Sequence, residues 1–175
     1  MPNDAPKPTP ELDEETLAFA AKVFHYARIG ATQELSELLE QGLPANLRNE
    51  KGDSLLMLAS YHGHAETCRV LMRHGGDPEL ANDRGQTPLA GAAFKGDEDV
   101  IRALLEGGAK VDGCGPDGRT ALMVAAMFNR TGIVDLLLAH GTDPQARDAG
   151  GHTAYDAAIA MGAADTPGQL SRWHG

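Results

Sequence analysis

Gly52, Gly85, Gly118 and Gly151 follow one another at a step of 33 residues, and nothing else in the chain limits its fold as strictly. Ser54, Thr87, Thr120 and Thr153 keep the same step. Each is read as a helix N-cap, because a side-chain hydroxyl accepts a bond from a free N–H of the first turn. Gly42, Gly75, Gly108 and Gly141 are placed to end second helices, and Gly30, Gly63, Gly96 and Gly162 to end first ones. Asn129 stands where a further glycine is due, and asparagine is the next best residue in a left-handed backbone conformation. The apolar positions obey the step as well. Leu38, Leu71, Leu104 and Leu137 share one register, and Leu39, Met72, Leu105 and Leu138 another.

The segment from Asn82 to Ala109 is the clearest single unit. A turn at Asp83-Arg84-Gly85 leads into Thr87-Pro88, an N-cap followed by a proline whose missing N–H leaves no unpaired donor. Leu89, Ala92 and Ala93 give a small-residue helical face, and Gly96 ends it. Val100, Ile101, Leu104 and Leu105, at three- and four-residue spacing, form the stripe of a second helix. A lone pair of helices cannot hide both of its faces, so it needs neighbours. A turn and two short helices at this period resemble the ankyrin-repeat family. The resemblance covers roughly residues 17 to 165, in four clear copies and one degenerate leading copy. It implies an all-α solenoid of stacked helix-turn-helix units with hairpin-like turns. One departure matters: the family's usual histidine after the Thr-Pro-Leu triplet is replaced by Met57, Ala90, Met123 and Asp156, which puts its polar ladder between turns in doubt.

Residues 1–10, with four prolines and no apolar pattern, read as a disordered tail. Thr9-Pro10-Glu11 reads as a helix start, followed by acids that suit the positive end of the helix dipole, and this long first helix runs to about Arg28. Residues 11–165 form the repeat domain, with copies at about 11–48, 49–81, 82–114, 115–147 and 148–165. Thr166-Pro167-Gly168 interrupts the expected last helix. Residues 166–175 are then either a frayed tail or a cap that lays Leu170 and Trp173 over the end of the stack.

The formal charge of −10 argues against any electrostatic grip on nucleic acid or anionic lipid and favours a partner with a basic patch. No stretch is long and apolar enough to span a membrane, and Leu17 to Ala21 has the wrong flanks for a signal peptide. Two cysteines in unrelated positions suggest reduced thiols and a cytoplasmic setting. Cys68 shares the apolar register of Leu35, Ile101 and Val134 and reads as buried and inert, whereas Cys114 lies among turn glycines.

In the family, partners usually bind the concave face built by turn tips and first helices. Carried over by position, the tips are Glu50, Lys51 and Asp53, then Asp83, Arg84 and Gln86, then Asp117 and Arg119, and last His152. The late first-helix positions are Tyr61 and His62, Phe94 and Lys95, Met127 and Phe128. Tyr61, Phe94 and Phe128 fall about one repeat apart on this face. Either they form aromatic anchors for a partner, or each ring folds over its own neighbours as peripheral packing. His74 and His140 sit at equivalent helix ends, where capping of free carbonyls explains them better than a metal. No serine-nucleophile motif or phosphate-binding loop occurs.

The function expected from these residues is a non-enzymatic, monomeric protein-binding scaffold that uses its concave face and no cofactor. The alternatives are an inhibitor or immunity-type protein that occludes an enzyme, and an enzyme or small-ligand protein.

Overall fold

The computed structural model describes residues 12–175; the expected tail over 1–10 and the Thr9-Pro10-Glu11 helix start lie outside them. The helices run α1 (Glu14–Ile29), α2 (Thr32–Glu40), α3 (Leu55–Tyr61), α4 (Ala65–Arg73), α5 (Pro88–Lys95), α6 (Glu98–Glu106), α7 (Ala121–Met127), α8 (Thr131–Ala139), α9 (Ala154–Met161) and α10 (Thr166–Leu170). They stack in two rows. The first helices pack in the order α1, α3, α5, α7, α9, and the second helices in the order α2, α4, α6, α8. Each unit therefore shields the apolar flank of the next, as a quasi-linear array must.

Local chemistry fixes the helix ends. The hydroxyls of Ser54, Thr87, Thr120 and Thr153 accept from the N–H groups of Met57, Ala90, Met123 and Asp156 at 3.0, 3.2, 3.3 and 3.3 Å. Asn129, at φ 55°, is the one non-glycine residue with a positive φ among the described residues. Helix α1 takes its cap from Asp13, whose carboxylate accepts from the Thr16 N–H at 2.7 Å.

The core is continuous along the stack. Leu35, Cys68, Ile101 and Val134 share a register on the second helices and are fully buried. In the first copy the inward position slips by one residue: Leu39 is buried and Leu38 only half-buried, while Leu71, Leu104 and Leu137 are fully buried in the later copies.

The turn tips are joined, though not by the family's histidine. The Asp83 N–H donates to the Lys51 carbonyl at 3.1 Å, and the Ala149 N–H to the Asp117 carbonyl at 2.8 Å. Pro116 occupies the equivalent place at the junction between them and has no N–H to give. There the backbones approach through Gly115 instead, with the Gly85 carbonyl lying where a side chain on residue 115 would stand.

The end of the chain differs from the sequence expectation at one point. Thr166-Pro167-Gly168 does not break a helix but starts one, since a proline in the first turn has no helical bond to lose. Helix α10 packs on α9, α7 and α8, so it takes the place of a fifth second helix. Leu170 is buried, and a 3-10 turn (Ser171–Trp173) lays Trp173 half-buried against the core.

Candidate functional site

The tips and the first helices together enclose a groove made of two adjoining hollows. One, of about 320 Å³, lies between Tyr61, Phe94, Met127 and Phe128 on the helices and Arg84 and Arg119 on the tips. The other, of about 220 Å³, shares Tyr61, Arg84 and Gln86 with the first and is also lined by Lys51, His62 and Arg28. The larger hollow sits at the junction where Pro116 removes the bond between tips.

Three rings form the groove's apolar wall. Tyr61 and Phe94 lie in nearly parallel planes, 7° apart, with centroids at 6.4 Å. Phe128 meets Phe94 edge-on at 4.7 Å and 90°. The change of geometry follows from register. Tyr61, Phe94 and Met127 are equivalent by the 33-residue step, whereas Phe128 is one residue further and caps the end of α7. The rings do pack on their neighbours, and Tyr61 and Phe128 still keep 38% and 39% of their surface in water. The rings therefore combine packing on one another with exposure to water.

Charged groups surround this wall. The Lys95 Nζ lies 4.8 Å from the centre of the Tyr61 ring, within cation–π range. His62 meets the Tyr61 ring edge-on at 5.4 Å. Partial burial, followed by the positive charges of His64, Lys95 and Arg28, pushes the His62 pKa below its ordinary value. Arg119 faces Asp117 at 4.0 Å, and Asp83 faces Arg48 at 3.6 Å. Gln86 accepts a bond from the Asn82 amide at 3.2 Å, and the side chains of Glu50 and Lys51 are exposed on the first tip.

Five of the expected surface residues are placed otherwise: Glu50, Asp83 and Lys95 are exposed but line neither hollow, and Asp53 and His152 depart further. Asp53 is buried, because its carboxylate accepts from the Asn82 Nδ2 at 2.8 Å and ties two neighbouring tips together. Its role is internal, and it supplies the polar link that the absent histidines do not. His152 is exposed on the last tip but lines neither hollow; its Nδ1 lies 3.3 Å from Asp148. Sequence reasoning in turn missed Arg28. Its signal was present, since Arg28, Tyr61, Phe94 and Met127 share the 33-residue step.

His74 and His140 turn their Nδ1 atoms to the Val70 and Leu136 carbonyls at 3.0 and 2.8 Å, as capping groups do. Burial, reinforced by Asp97, pushes the Cys68 thiol up to about 12. Among the described residues no group of three or more His, Cys, Asp or Glu is placed to hold a metal ion, and no helix is long and apolar enough to cross a membrane.

Comparison with known proteins agrees with this architecture. A family model of ankyrin repeats in three copies matches residues 19–113, and a single ankyrin-repeat model matches residues 117–149. A protein of Pseudomonas aeruginosa named as an ankyrin repeat protein is 65% identical over 63 residues. That match covers 36% of this chain and 37% of the relative, so it spans little more than a third of the relative's length.

Proposed function

Because the chain belongs to the ankyrin-repeat family, whose repeats generally mediate protein interactions, we propose that it is a non-enzymatic module binding a partner protein in the groove of tips and first helices. The observation that carries this reading is the Tyr61–Phe94–Phe128 wall. Aromatic side chains held by their neighbours lose little freedom when a partner covers them, and apolar rings ringed by charge are the usual anchors of an interface. The stacked helices fix the wall from behind, so the surface exists before the partner arrives. A partner of ordinary size would cover about 800 Å² of this chain. The reading includes a monomer in a reducing, cytoplasmic setting; the unpaired thiols of Cys68 and Cys114 support that setting.

The test is the Tyr61→Ala, Phe94→Ala double variant, compared with wild type in capture from the source cell and then in affinity for the captured protein. The variant is expected to keep its helical circular dichroism and to bind at least about tenfold more weakly, as loss of two interface anchors predicts. Unchanged affinity in a folded variant removes the groove from the function.

A further inference from the structure

The protein distributes its charge unevenly, and the groove takes the minority sign. The chain carries 25 acidic and 15 basic residues, yet the central first helices α3, α5 and α7 contain no Asp or Glu. Lys95 is their one formal charge. Arg28 from α1 and Lys51, Arg84 and Arg119 from the tips line the groove itself, and Lys95 lies beside it over the Tyr61 ring. The two carboxylates that reach its walls are already engaged. Asp53 is only 8% exposed and accepts from Asn82, and Asp117 accepts the Arg119 N–H at 3.0 Å beside that residue's guanidinium.

Pairing separates the two rows further. On the second helices Arg69, Arg73 and Arg102 each face a glutamate, with N to O distances of 3.6 to 3.7 Å. Among the described residues Arg28, Lys51, Arg84 and Lys95 have no such ion pair. The cations of the second helices are paired on their own surface, whereas among the groove cations Arg119 alone is so paired, with Asp117. Like charges gathered along a concave wall repel one another, and the field there is focused by the low-dielectric walls. An incoming anion relieves that repulsion. The depressed pKa of His62 comes first from its partial burial and then from His64, Lys95 and Arg28.

We infer that the groove takes an acidic segment of its partner, in which carboxylates flank one bulky apolar side chain. The apolar group enters the larger hollow against Phe94 and Phe128, and the carboxylates meet Arg84, Lys51 and Arg28. This rests on the proposal that the groove is the binding face, and it reverses the expectation of a basic partner drawn from net charge. Net charge describes the far field, whereas complementarity is decided at the contact. A nucleic acid carries anions well past the groove and would meet the acidic remainder of the surface, while a short acidic segment ends within about a Debye length of the cations, roughly 8 Å at physiological salt.

The experiment selects a phage-displayed library of short random peptides against the full chain, with counter-selection against the Tyr61→Ala, Phe94→Ala variant. The expected survivors are acidic peptides with one large apolar residue. A synthetic copy of the best is expected to lose about tenfold or more in affinity for a Lys51→Glu, Arg84→Glu variant with unchanged circular dichroism, and to weaken as salt is raised. Survivors that depend on the rings but are neutral or basic overturn the inference and leave the groove as the binding face. Peptides indifferent to the rings, or none at all, overturn both. An oligothymidylate that binds the groove more tightly than the peptide overturns it in favour of nucleic acid.

Discussion

The side chain of Asn129 grips Asp165 at two points: its Oδ1 accepts the Asp165 N–H at 2.8 Å, and its Nδ2 donates to the Asp165 carboxylate at 2.9 Å. The same Oδ1 also accepts from the Thr166 N–H at 3.1 Å. The residue that replaces a glycine in the repeat therefore does two things. It adopts the left-handed turn after α7, and it holds the start of α10, the helix that closes the stack.

Substitution separates these roles. Asn129→Gly keeps the backbone conformation and loses the grip, so it is expected to cost about 1–2 kcal/mol for largely exposed hydrogen bonds. Asn129→Ala loses the grip and keeps a β-carbon in the left-handed conformation without the local hydrogen bonding that lets asparagine adopt it, adding about 1 kcal/mol relative to glycine. Urea unfolding should rank wild type above glycine and glycine above alanine. Trp173 is the sole tryptophan and packs at the end of the stack, so its fluorescence should report early release of α10 in both variants. Equal stability of the two variants would show that the backbone conformation contributes nothing.

Gly107 ends α6 and Gly115 stands just before the next tip, and the two should behave differently. A side chain at 115 meets the Gly85 carbonyl, which is backbone and cannot step aside. Gly115→Ala is therefore expected to destabilise by about 1–3 kcal/mol, the range for overpacking. At 107 the obstacle is the end of the flexible Met72 side chain, and the backbone φ of −79° suits any residue. Gly107→Ala should stay within about 0.5 kcal/mol of wild type. Thermal melts of the two variants side by side decide the matter.

These residues also mark how far the sequence could be read. The caps at Thr87 and Thr120 were legible because a hydroxyl three residues before a free N–H is a local matter, independent of the rest of the fold. The positions of Tyr61 and Phe94 followed from the step of the repeat. What could not be read is what one repeat does to the next. Asp53 resembles any polar tip residue until Asn82 of the following unit covers it. Pro116 reads as ordinary turn punctuation until the neighbouring tips are seen to be linked through the equivalent N–H groups. Thr166-Pro167 carries the chemistry of both a helix stop and a helix start, and only the exposed end of α9 selects between them. Phe128 was grouped with the other rings, but its displacement by one residue turns its edge to Phe94.

The two thiols should differ sharply toward a disulfide reagent. Cys114 is exposed and Cys68 is buried, with its pKa pushed up to about 12 by burial and then by Asp97. The thiolate is the reactive form, and at pH 8 almost none of Cys68 is ionised. With Ellman's reagent the native protein should release close to one equivalent quickly, from Cys114, and the second only on unfolding. Fast release of two equivalents from native protein would mean that the second-helix core opens readily.

His62 offers a test of the groove's field that needs no partner. Its pKa is lowered first by partial burial and then by His64, Lys95 and Arg28, so it should titrate below the ordinary imidazole value of about 6.5. The sign for stability follows. As pH falls, the unfolded chain takes up this proton before the folded one does, so the contribution of neutral His62 is present above the ordinary value and is lost as pH drops through the folded pKa. Lys95→Gln removes one of the named cations and should move the His62 pKa upward, toward the ordinary value. The measurement is an NMR titration of the imidazole Cε1 protons, with His62 assigned by a His62→Gln variant. An acidic peptide seated beside Arg28 and Lys51 should raise the same pKa, because its carboxylates favour the protonated ring. A His62 that titrates at or above the ordinary value, or that ignores Lys95→Gln, would mean that the groove cations do not act together, and the charge argument for an acidic partner would lose its footing.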